Sequence, residues 1–165
     1  MSGDASQDVE GMDASAGHVL SLLSAESPNI KVGVGGFSMG AATAIYSACC
    51  FARGKFGNGT GYPVHLDFVV ALSGWLPYAR GLNNEFEDYE VGSRAASLPI
   101  LLCHGRGDDV IRFRYGQMSA EKLTSFGFED LTFKSFPSLG HYTIPEEMDE
   151  VVHWLTSKLG LEGEP

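Results

Sequence analysis

The stretch Gly33-Val-Gly-Gly-Phe-Ser-Met-Gly-Ala-Ala-Thr-Ala44 crowds four glycines around one serine, then turns at once to small helix formers. A dinucleotide fingerprint counted from Gly33 needs its third glycine where Ser38 stands. A phosphate loop needs Gly-Lys-Ser/Thr at its end, and Gly40 is followed by Ala41. The motif that fits is G-x-S-x-G, Gly36-Phe37-Ser38-Met39-Gly40, set between a strand-like run and a helix-like run. Such a turn is strained and projects a serine hydroxyl off the end of a sheet; the flanking residues must be small because they approach each other. Ser38 also stands at the positive end of the following helix, where a developing anion is favoured. The backbone N–H of Met39 is the natural half of an oxyanion hole. The competing reading is a glycine-rich turn with a capping serine.

A serine hydroxyl needs a base to take its proton, and the base needs an orienting carboxylate. In folds with this turn the chain order is serine, acid, histidine. LPILLCHGRGDD offers Asp108 and Asp109 just past a strand-like run, and FPSLGHYTIP offers His141 after the last one. The other histidines fit less well. His18 and His153 fall in helices, His65 precedes a strand, and His104 comes before the acid, where it shapes the turn that presents Asp108.

Working outward, apolar spacing predicts a helix through Met12, Ala16, Val19, Leu20 and Leu23. A strand over Lys31–Gly36 and an alanine-rich helix over Ser38–Arg53 follow, then strands at Leu66–Leu72, Leu98–Cys103 and Leu131–Phe136, the last alternating like a sheet edge. Phe113–Phe126 reads as a helix. Pro145 opens a final helix with an apolar stripe of Met148, Val151, Val152, Leu155 and Leu159. Residues 78–97 are polar and read as a long irregular connection. Residues 1–11 read as a flexible acidic lead-in, 12–160 as one domain and 161–165 as a tail. Alternating apolar strands and amphipathic helices imply an α/β fold: a mostly parallel sheet of about four strands, with helices on both faces and its active site at the strands' carboxyl ends.

Composition narrows the function classes. The 165 residues carry a formal net charge of −10, the wrong sign for a nucleic-acid-binding domain or an anionic membrane surface. No run reaches membrane-spanning length, and the acidic start lacks the pattern of a secretory signal. Cys49, Cys50 and Cys103 are odd in number and lack metal-ligand spacing. They read as reduced thiols in a cytoplasmic protein.

With these residues assembled, the chain resembles the acyl-protein thioesterase/carboxylesterase family of α/β-hydrolases, in its plant branch. GGFSMGAA (Gly35–Ala42), LSGWLP (Leu72–Pro77), HGRGDDVI (His104–Ile111) and GHYTIPEEMDEV (Gly140–Val151) carry the likeness in order and spacing. The resemblance implies that Ser38 is the nucleophile and His141 the base. It also implies that Asp108, fifth residue of H-G-x-x-D, is the acid in preference to Asp109. It implies cofactor-free hydrolysis of S-acylated proteins or small acyl esters. Trp75 and Leu76 would then line an acyl channel, each buried methylene of a fatty chain contributing about 0.8 kcal/mol; a core role for Trp75 is the alternative. Two departures stand out. Arg112 replaces a usual proline, and the family's H-G-x-G-D segment, source of a second oxyanion donor, has no counterpart, since the only His-Gly here is His104-Gly105. The expectation is a member shortened at its front, with the nucleophile strand at a sheet edge open to a second copy. A weak or inactive remnant acting as a binding protein, and a short-chain (acetyl) esterase, are the alternatives.

Overall fold

The computed structural model describes residues 8–163. Helix α1 (Val9–Ser24) is capped by Asp8, whose carboxylate accepts the Gly11 N–H at 2.7 Å. It therefore begins three residues before Met12. The lead-in expected over residues 1–11 lies outside the described residues up to residue 7. Strand β1 (Gly33–Phe37) runs into α2 (Met39–Arg53), which stops at Gly54 in the left-handed conformation. Then come β2 (Phe68–Leu72), α3 (Tyr89–Ser97), β3 (Ile100–Gly105), α4 (Phe113–Ser125), β4 (Leu131–Phe136) and α5 (Pro145–Leu159).

The four strands form one parallel sheet in the order β1-β2-β3-β4. Each crossover advances one strand in the same direction, and a constant hand then places α2, α3 and α4 on one face. Their core joins Ile45, Cys49, Val91 and Leu123 to the sheet residues Val34, Val69, Ala71, Ile100 and Leu102. Helix α5 follows the last strand and covers the other face, where Val151 and Trp154 meet Val70, Leu72, Leu101 and Cys103. The result is an α/β sheet covered on both faces, with β1 and β4 as its edges among the described residues.

Helix α1 is fastened by Asp13, which accepts the hydroxyl of wholly buried Tyr46 and the N–H groups of Gly57 and Asn58, both at 2.9 Å. One carboxylate thus ties α1 to α2 and to the loop after it.

Two expectations are corrected. Residues 78–97 are not irregular throughout: a short 3-10 turn spans Ala79–Leu82, and α3 starts at Asp88, whose side chain accepts from Glu90 and Val91 N–H. This helix is polar because only Val91 and Ala95, one turn apart, are buried. The stripe on α5 is also displaced. Met148 and Val152 are exposed, and the residues turned inward are Glu147, Val151 and Trp154. An apolar arc computed from spacing excludes a glutamate by its type, and here a glutamate faces the sheet.

Candidate active site

Three strand ends converge. Ser38 follows β1, Asp108 lies in the loop after β3, and His141 lies between β4 and α5. Ser38 has φ 57° and ψ −117°, a conformation that costs on the order of 1–3 kcal/mol and persists only where the surroundings impose it. They do so here: its N–H extends the sheet ladder to Leu72 O at 2.9 Å, and its C=O accepts the Ala42 N–H at 3.1 Å. The backbone must reverse between those two bonds. Gly36 permits the reversal, because a Cβ there would stand 2.2 Å from the carbonyl carbon of Gly40. The converse expectation fails. A Cβ on Gly40 would meet nothing within 4 Å, so Gly40 contributes its backbone to the contact and not the lack of a side chain.

The carboxyl of Asp108 is wholly buried. Its Oδ1 accepts the N–H groups of Val110 at 3.0 Å and Ile111 at 2.8 Å, and its Oδ2 lies 2.8 Å from His141 Nδ1. A carboxylate only accepts, so Nδ1 carries the proton and Nε2 is left as an acceptor. His141 Nε2 is 3.0 Å from Ser38 Oγ. The arrangement can therefore draw the serine proton onto imidazole and hold the resulting cation against a buried anion. Asp109 is exposed and takes no part in these contacts.

Met39 opens α2, so its N–H belongs to the first turn, which has no intrahelical acceptor. Its side chain, 71% exposed, lies outside the core. Trp75 is half-buried, while Leu76 is buried in the core of the α2 face and its N–H donates to Ser119 Oγ at 2.7 Å. Arg112 stands at the N-cap of α4 with φ −56°, within the range that a proline ring imposes. Phe37, not singled out from sequence, packs its ring 4.9 Å from that of His141. Its place as the variable residue of G-x-S-x-G is the signal that could have found it.

One further buried group is unusual. Glu147, in the first turn of α5, is fully buried, and neither carboxyl oxygen has a hydrogen-bond partner among the described residues. Burial pushes its pKa up from 4.5 to about 7. The Cys103 thiol is pushed up to about 12, chiefly by burial and then by the charge of Glu147.

The sequence profile of the Phospholipase/Carboxylesterase family matches residues 1–159. The chain belongs to that family. Among solved structures, the crystal structure of Zea mays acyl-protein thioesterase 2 superposes with a TM-score of 0.94 at 60% identity, over 97% of this chain and 70% of that one. Arabidopsis thaliana SOBER1 superposes with a TM-score of 0.72 at 25% identity, over 92% of this chain and 66% of its own. The acyl-protein thioesterase 1 of Aspergillus fumigatus is 31% identical over 125 residues, 76% of this chain. The chain spans 46% of the length of that fungal relative. The plant character expected from the motifs agrees with the maize match. No helix among the described residues is long and apolar enough to cross a membrane. As a Phospholipase/Carboxylesterase family member, the chain carries a hydrogen-bonded serine, histidine and aspartate at the end of its sheet.

Proposed function

We propose that this chain is a serine hydrolase that cleaves thioesters and carboxylic esters, acting on S-acylated proteins as an acyl-protein thioesterase. The observation that carries the reading is the continuous relay Ser38 Oγ, His141 Nε2, His141 Nδ1, Asp108 Oδ2, with spacings of 3.0 and 2.8 Å. Ser38 Oγ bonds to the acyl carbonyl carbon while its proton passes to His141 Nε2. The oxyanion forms at the mouth of α2, where the Met39 N–H is its donor. Collapse expels the thiolate or alkoxide, which takes the proton from His141, leaving an acyl ester on Ser38. Water then attacks that ester with His141 again as base, releasing the acid and restoring the serine. No metal or cofactor enters this sequence.

The acyl group meets an apolar rim. Phe37, Met39 and Tyr142, the chain neighbours of the reacting pair, are all exposed, and Trp75 is half-buried. Exposed aromatic and thioether surface beside a nucleophile suits a fatty chain better than an acetyl group. The names of the maize and Aspergillus relatives support the same class of substrate. A cytoplasmic setting suits the three buried free thiols.

The test compares a palmitoyl thioester peptide with p-nitrophenyl acetate. Preference for the peptide supports the thioesterase reading, and preference for the acetate supports the short-chain esterase. A folded chain that turns over neither supports a non-catalytic binding role. That second reading is favoured by the position of β1, whose outer side has no neighbouring strand among the described residues. The same edge suits a homodimer through β1, which a monomeric sedimentation profile excludes.

A further inference from the structure

We infer that His104 and Gly116 form a single positioning device that holds Asp108 in register with His141, an inference that rests on the reading of Ser38, His141 and Asp108 as a catalytic relay. His104 is the next-to-last residue of β3 and is 1% exposed. Its Nε2 lies 2.7 Å from the carbonyl oxygen of Ile111 and 3.5 Å from Asp108 Oδ2. A carbonyl can only accept, so Nε2 carries a proton. The two histidines flanking the acid thus donate from different ring nitrogens. His141 presents Nδ1–H to Asp108, and His104 presents Nε2–H to the loop behind it.

The geometry makes Ile111 the hinge of the device. Its C=O is held by His104, and its N–H is one of the two that hold Asp108 Oδ1. Fixing Ile111 therefore fixes the rotation of the carboxylate, and with it the oxygen that faces His141. Loss of the Nε2–H would leave the part-buried Ile111 carbonyl without this donor and free the loop to shift.

Gly116 explains where the ring is kept. It lies inside α4, where glycine costs about 1 kcal/mol relative to alanine. A Cβ there would stand 2.4 Å from His104 Nδ1 and 2.8 Å from Cγ. The Phe113 ring packs against the imidazole edge-on, with centroids 6.0 Å apart. The helix thus carries an unfavourable residue at the point where the imidazole needs its space.

The test uses His104→Leu, His104→Gln, Gly116→Ala and the double variant His104→Ala/Gly116→Ala. It has two readouts: the rate of labelling by a fluorophosphonate, and the downfield proton resonance of His141 Nδ1–H bonded to Asp108. Glutamine can place an N–H near the position of Nε2 and leucine cannot. His104→Leu should lose the resonance and label about 10²-fold more slowly, the scale of a misplaced catalytic group, while His104→Gln keeps both near wild type. Gly116→Ala should behave like His104→Leu. Added to His104→Ala, it should change the rate less than about twofold, because the clash has gone. Equal behaviour of the leucine and glutamine variants, or an unchanged resonance in Gly116→Ala, overturns the proposal. If His104→Leu does not fold, the Gly116→Ala and His104→Gln results decide alone. The resonance does not require turnover. A wild type that fails to label while the resonance follows this pattern sinks the hydrolase reading and leaves the device standing.

Discussion

His141 Nε2 lies 3.0 Å from Ser38 Oγ although 103 residues separate them, and the strands that carry them, β1 and β4, are opposite edges of the sheet. Three strand steps span roughly 14 Å. The loop after β4 therefore arcs back across the ends of β3 and β2, and the Asp108 loop is what meets it on the way. The Gly107 N–H donates to Leu139 O at 3.0 Å, and Asp108 takes His141 directly.

Asp108 is therefore expected to matter as much for geometry as for charge. Asp108→Asn should lower kcat about 10⁴-fold by admitting the wrong imidazole tautomer. Asp109→Asn should leave it within about twofold, as befits an exposed group, under the ordinary scatter of surface substitutions. Steady-state hydrolysis of p-nitrophenyl acetate separates the two.

The turn at Ser38 predicts an asymmetry between its glycines. Gly36→Ala pushes a methyl into the Gly40 backbone and should cost about 3 kcal/mol or more, overpacking against main chain that cannot step aside. Gly40→Ala should be neutral or stabilising by up to about 1 kcal/mol, since it meets nothing and improves the helix. Urea unfolding midpoints read both.

Glu147 predicts how stability depends on pH. Its folded pKa is raised from 4.5 to about 7, so the native state binds more protons than the unfolded chain between those values. The stability from its neutral form is complete below pH 4.5 and is lost as pH rises through about 7. Relative to Glu147→Gln, the wild type should lose about 3 kcal/mol over that window. A difference between the two proteins that stays flat with pH would contradict it.

Asp13→Ala should remove three hydrogen bonds and leave the buried Tyr46 O–H without its acceptor, while its oxygen still accepts the Gly57 N–H at 3.1 Å. A loss of about 1–3 kcal/mol is expected. Fluorophosphonate labelling of the folded fraction should be unchanged, because Asp13 lies far along the fold from the strand ends that carry the relay.

Much of this was legible in the chain, for identifiable reasons. Parallel strands buried on both faces are written as continuous apolar runs, so FVVAL and ILLC announce themselves, as does the glycine-rich turn that ends β1. Apolarity marks burial and not pairing, however, which is why Leu66 and Leu98 are buried yet precede the ladders at Phe68 and Ile100. Helix α3 was hidden because two buried residues in nine leave no periodic signal. The inward turn of Glu147 was hidden because burial of a carboxyl depends on tertiary packing alone. The partnership of His104 with Gly116 joins two elements, and no local pattern links them.

The most direct test of the central claim is fluorophosphonate labelling of the purified chain, read by intact mass, with Ser38→Ala and His141→Ala alongside. A single adduct on the wild type that disappears in both variants is the predicted result. Folded wild-type protein that takes up no adduct, or an adduct that persists in Ser38→Ala, would contradict the assignment of Ser38 as an activated nucleophile.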